Sequence, residues 1–156
     1  MKNSVVIVII ILLITFCSNN KTEKFQKVEL GEACLNSLNL SMFRGIYPSI
    51  YLNKVHIILG QPDEKFVIND IDEPRVDLAY YNERGRLLLH WSGEIIDEIG
   101  MIEFRPKRKL FLKNVYPKEI RVHKNILRID CNQKYKFYIF LNKNLKTVKK
   151  IEWWFE

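Results

Sequence analysis

Three histidines, three cysteines and a scatter of carboxylates are the side chains in this sequence that could do chemistry. His56, His90 and His123 stand in unrelated contexts. No H-x-x-x-H, H-E-x-x-H or C-x-x-C spacing gives any of them a second ligand, so a metal would need a purely tertiary assembly. Asp70, Asp72 and Glu73 have the spacing that opens a calcium loop, but Arg75 stands where the sixth-position glycine would make the sharp turn. Glu94, Asp97, Glu98 and Glu103 could pair for hydrolysis. Carboxylates near turns are solvated, however, and nothing beside these promises the raised pKa of a general acid. There is no G-x-S-x-G and no glycine-rich phosphate loop. A Cys34 or Cys131 nucleophile would need a histidine and an electropositive pocket that the chain does not announce. The expectation is a protein that is not an enzyme, with no catalytic residue, metal, cofactor or small-molecule substrate.

Cys17 is different, because its chemistry follows from where it stands. Met1 to Ser4 supply a short positive start, Val5 to Ile14 are unbroken apolar residues, and after Cys17 the chain turns abruptly polar. An apolar run of this length suits a signal-peptide core and falls short of the roughly 20 residues that span a bilayer. A cysteine on that boundary resembles the lipobox of bacterial lipoproteins, whose thiol is diacylated before the signal is cut in front of it. Ile14 and Thr15 fit that pattern, and Phe16 stands where a small residue is usual. The resemblance implies a cleaved signal peptide over 1–16, an acylated Cys17 and a protein held on a membrane in the cell envelope. Burial of acyl chains contributes about 0.8 kcal/mol per CH₂. Ser18 is compatible with sorting to the outer membrane of a Gram-negative bacterium. Residues 17–30 then form a polar tether and 31–156 a single α+β domain.

With Cys17 acylated, Cys34 and Cys131 remain. In an exported chain they either pair with each other or stand as separate thiols, Cys131 filling the inner face of a strand beside Leu127 and Ile129. The net charge of +7 does not by itself mean nucleic acid. The basic residues are scattered, with one modest cluster at Arg105, Lys107, Arg108 and Lys109, where a nucleic-acid module would gather them on one face. At 47% apolar and 28% charged, the chain can build a real core.

The elements that position these residues are read from period. Leu52, Val55, Ile58 and Leu59 have helical spacing, predicting one main helix over about 49–59 that ends at Gly60 with Pro62 as a stop. After a loop over 69–74, the period switches to two. Val76, Leu78 and Tyr80 alternate with polar or small residues, Asn82-Glu83-Arg84-Gly85 turns the chain, and Leu87, Leu89 and Trp91 continue on one face. Ile95 to Phe104 reads as a strand with Gly100 as a bulge, and Leu110 to Val115 and Ile120 to Val122 as shorter ones. The last third reads as antiparallel hairpins with Leu127, Ile129, Cys131, Phe137, Ile139, Leu141, Leu145, Ile151, Trp153 and Phe155 turned inward. The predicted fold class is α+β, one main helix packed on an antiparallel meander sheet.

Val55-His56-Ile57-Ile58-Leu59-Gly60-Gln61-Pro62, a helix ending V-x-x-x-L-G-x-P ahead of an antiparallel sheet, resembles the small SmpA/OmlA (BamE-like) outer-membrane lipoproteins. It also resembles the wider β-lactamase-inhibitor-protein type of fold. That resemblance implies a non-catalytic lipoprotein that binds or scaffolds another envelope protein. The alternative is an exported immunity or inhibitor protein that neutralises a toxin or hydrolase by surface complementarity. Adjacent Trp153 and Trp154 must face opposite sides of their strand. Trp154, with Lys146 and Lys150, either forms the partner-binding surface or is covered by a second layer drawn from residues 25–47.

Overall fold

Alternation of apolar and polar residues, one inward and one outward, builds most of the molecule. The computed structural model describes residues 24–29, 32–69, 75–91, 98–131 and 134–155. The signal segment 1–16, Cys17 and the carboxylates Asp70, Asp72, Glu73, Glu94 and Asp97 lie outside the described residues. In chain order the elements are β1 (Gln26–Glu29), α1 (Leu52–Leu59), β2 (Glu64–Ile68), β3 (Arg75–Tyr81), β4 (Gly85–Trp91), β5 (Ile99–Pro106), β6 (Leu110–Phe111), α2 (Leu112–Val115), β7 (Ile126–Cys131), β8 (Tyr135–Leu141) and β9 (Thr147–Phe155). The strands form one nine-stranded sheet in the order β1-β7-β8-β9-β5-β4-β3-β2, with β6 paired to β9.

This corrects the expected α+β design. The fold is strongly sheet-dominated, 49% strand and 17% helical, and its sheet is mixed because β1 runs parallel to β7. The helix begins at Leu52 and lasts eight residues, only Val55 of which is buried. Two strands carry no local signal. Gln26–Glu29 holds a single apolar residue, and Glu64–Ile68 is an exposed edge strand without burial alternation. Pairing of Gln26 with Leu127 and of Glu29 with Asp130 is a long-range choice that no short window reveals. Strand β1 thus falls within the stretch 17–30 that was expected to be a polar tether. Leu110 to Val115 is a two-residue strand followed by a helical turn, and Ile120 to Val122 is irregular.

The inner face of the sheet is roofed by residues 34–55. Two 3₁₀ turns, Glu32–Ser37 and Ser41–Phe43, deliver Cys34, Leu38, Met42, Phe43, Ile46 and Ile50 to a core shared with Leu78, Leu89, Ile102, Leu127, Ile139 and Ile151. Trp153 sits at its centre, 4% exposed, stacked on Phe137 at 4.8 Å and meeting Phe43 edge-on at 5.2 Å. Residues 34–55 thus cover the Trp153 side, while Phe25 packs on the opposite face against Tyr138 and Arg128. Cys34 and Cys131 form a disulfide, Cα atoms 5.2 Å apart, which fastens this roof to β7.

Two glycines are set by geometry. Gly60 closes α1 at φ 80 and ψ −157, a combination open essentially to glycine alone. At Gly85, which follows the Asn82 turn, a Cβ would lie 2.2 Å from the Arg105 carbonyl oxygen of β5. The β4–β5 register skips Gly100, pairing His90 with Met101 and Trp91 with Ile99, so the expected bulge is there.

Candidate functional site

The outward positions of the strands line up in two rows. One runs Asp77, His90, Met101, Trp154, Lys136, and the other Leu88, Glu103, Glu152, Tyr138, Arg128. Residues directly opposite on adjacent strands share a face, so these rows form one charged and aromatic surface. Glu103 is its hub and is buried at 5% exposure. Its carboxylate accepts from Arg105 Nε at 2.6 Å, Arg105 Nη2 at 3.2 Å and Lys150 Nζ at 3.1 Å, with Arg86 Nη2 at 3.5 Å. Burial alone would raise this carboxyl; the hydrogen bonds from Arg105 and Lys150 outweigh it and hold the group below its ordinary value.

A carboxylate held low contributes stability that is present above its unfolded pKa and lost as pH falls through the folded one. Glu103→Gln keeps the shape and removes the charge. It should cost about 1–2 kcal/mol in urea denaturation near neutral pH, toward the low end for a buried pair because the Arg105 partner is half exposed. An unchanged midpoint would show that the network contributes nothing.

His90 is mostly covered. Its Nδ1 lies 2.6 Å from Asp77 Oδ1, and Arg75 Nε is 3.5 Å from the same oxygen. An ionised carboxylate only accepts, so Nδ1 carries the proton. Burial lowers the pKa of the ring and prevails over the opposite pull of Asp77. The sign follows: below about pH 6.5 the unfolded chain takes up a proton that folded His90 resists, so stability is lost as pH falls from there toward the folded pKa. His90→Gln should therefore lose less stability than the natural protein between about pH 7.5 and 5.5. Equal losses in paired urea titrations would contradict this.

The three residues expected to form a partner surface do not form one patch. Lys150 and Trp154 leave the same face of β9, and both bond Glu152, Lys150 through Oε1 and Trp154 Nε1 through Oε2 at 3.2 Å. Lys150 also lies 4.4 Å from the Phe140 ring centroid, so its ammonium is occupied. Trp154 remains 37% exposed. Lys146 lies apart, in the turn before β9, where it lines a groove with Phe111, Tyr116 and Leu145.

Sequence reasoning missed the exposed face of α1. Val55 faces the core, with Leu52 and Leu59 partly buried against it. Around the helix from them, Tyr51 at the N-cap, Lys54, Ile57 and Ile58 point outward, with Ile57 82% exposed and Ile58 47%. The signal was in the sequence: Ile57, Ile58 and Leu59 in succession sweep about 200° around a helix, wider than a one-sided stripe. Of ten large hydrophobic residues exposed among the described residues, six fall between Tyr47 and Val67, on α1, its approach and the edge strand β2. Among the described residues no cluster of His, Cys, Asp and Glu could hold a metal, and no helix is long and apolar enough to cross a membrane.

The architecture defines a sheet-dominated, disulfide-fastened class of fold. A crystal structure of a cysteine-rich secretory protein from Staphylococcus aureus subsp. aureus Mu50 is similar, with a TM-score of 0.50 at 10% identity over 85% of this chain and 50% of that one. The chain thus spans about half the length of that protein, and the likeness is one of fold alone. No protein-family model and no curated protein matches the sequence.

Proposed function

We propose that this is a membrane-tethered protein of the cell envelope, anchored through an acylated Cys17, that acts as a non-catalytic protein-binding or scaffolding subunit. The observation that carries the reading is the outward face of α1. Large apolar side chains concentrated on one short stretch of an otherwise well-buried fold are the mark of a surface that a partner covers. A partner from the envelope would meet Tyr51, Ile57 and Ile58 as its apolar centre, with Lys54 between them. Trp154, on the sheet face, is a second anchor of the kind that dominates interface energetics. The disulfide between Cys34 and Cys131 suits an oxidising compartment.

Ile57→Asp tests the reading. An exposed surface substitution should leave stability within about 0.5 kcal/mol, while loss of a central contact should weaken co-purification of the crosslinked partner by about tenfold. Unchanged co-purification would remove α1 as the binding face. Cys17→Ala should release the protein from the membrane fraction or leave it unprocessed. A membrane-bound mutant of unchanged gel mobility, together with a natural protein that takes up no labelled palmitate, would overturn the anchor.

A further inference from the structure

A second site lies away from α1 and from the charged sheet face. Residues 111–122 and the β8–β9 turn enclose a groove of about 1060 Å³. Its apolar lining includes Phe111, Tyr116, Ile120, Val122 and Leu145. Four cations, Lys113, Lys118, Arg121 and Lys146, line it against a single acid, Glu119.

These cations differ from those of the charged sheet face. Lys150, Arg105, Arg86 and Arg128 on the sheet face are all held by carboxylates. None of the four groove cations is ion-paired with another described residue. Three of these apolar walls, Tyr116, Ile120 and Val122, are packed into the core, so the groove is backed by a firm surface.

The turn adds a separate signal. Leu145 sits at φ 54, a left-handed conformation that disfavours any residue with a Cβ. Asn144 Oδ1 holds the turn by accepting from Lys146 N at 3.0 Å and Thr147 N at 3.1 Å. Glycine would serve the turn better than leucine. The leucine side chain, kept there against local preference, is a wall of the groove.

We infer that this groove binds an anionic single-chain lipid, the acyl chain lying along Phe111, Tyr116, Ile120, Val122 and Leu145 and the phosphate or carboxylate head meeting the four cations. The volume is at the upper end for a small-molecule site, which suits a long chain with a head group better than a compact polar metabolite. A mostly apolar wall with a few convergent charges gives the chain its affinity and the head its direction. The site is independent of the protein-binding reading, since it shares no residue with the α1 face.

The test uses the intact processed protein in a neutral detergent, with a lysophosphatidate analogue carrying a diazirine near the end of its chain. After irradiation, labelled peptides are mapped by mass spectrometry. Label should fall within 111–122 and 144–146. Unlabelled lysophosphatidate should compete; lysophosphatidylcholine and inorganic phosphate should not. Lys118→Glu with Arg121→Glu should lower labelling about tenfold, because two ion pairs become repulsions. Leu145→Gly should also lower it about tenfold through the lost apolar contact, while the melting temperature holds or rises because the left-handed strain is gone. That combination separates a binding role from a merely structural one. Label spread over the surface, equal competition by the zwitterionic lipid, competition by phosphate alone, or unchanged labelling of Leu145→Gly would each overturn the inference. So would binding of an acidic peptide in place of lipid.

Discussion

Trp153→Ala should be the most damaging single substitution in the described core. The indole is 4% exposed and contacts Phe43, Tyr135 and Phe137, so its removal deletes a large apolar surface and leaves a space that the sheet cannot close. Such truncations cost about 3–5 kcal/mol, comparable to the whole stability of a small fold. The variant is expected to be largely unfolded at 37 °C, or to show a urea midpoint far below the natural protein. A midpoint within about 1 kcal/mol of the natural one would show that the three aromatic neighbours do not depend on it. Trp154→Ala, one residue on, provides the contrast. Its ring is on the opposite face and partly in solvent, so the melting temperature should hardly move.

Opening the disulfide should have an effect of the same size. Cys34 and Cys131 are 97 residues apart in sequence, and closing so long a loop restricts the unfolded chain by about 4–5 kcal/mol in the chain-entropy model. Both residues are fully buried, so the bond also fastens the 3₁₀ roof to β7 at a point water does not reach. Reductant present throughout a urea titration, or the Cys34→Ser, Cys131→Ser double variant, should lower the unfolding free energy by a comparable amount. Unfolding curves that superpose with and without reductant would contradict this, provided thiol labelling after denaturation shows the bond to be open.

Much of the sheet was legible because alternation is local. Val76 to Trp91 and Leu127 to Leu141 contain their own period, and the Asn82 turn with Gly85 announces itself. Elsewhere, one bulge spoils the reading. Phe140 pairs with Lys150 and Leu141 with Val148, so Lys149 is skipped and the alternation of β9 slips. Val148, which strict alternation back from Trp153 would turn outward, is consequently buried at 4% exposure. Phe155, expected in the core, is 37% exposed at the strand end. Leu145, also expected inside, is diverted by its left-handed backbone into the groove wall.

The candidate surfaces were less legible for a different reason. Whether an apolar helix position faces core or solvent depends on what roofs the sheet. Here the roof is partly the chain over 34–50, which has no regular period. Val55 therefore takes the buried position, while Ile57 and Ile58 remain on the far side. The unpaired cations of the groove come from two segments some thirty residues apart, so only the fold brings them together.

The claim that α1 faces a partner is tested most directly by site-specific photocrosslinking in intact cells that produce the protein. A photoreactive phenylalanine analogue is placed at Ile57, at Trp154 and, as a control, at exposed Lys149 on β9. The account predicts a discrete protein adduct from position 57 that is absent from position 149. It should be lost when Ile58→Asp accompanies the probe at unchanged expression. No adduct at either 57 or 154, or the same diffuse pattern at all three positions, would contradict it.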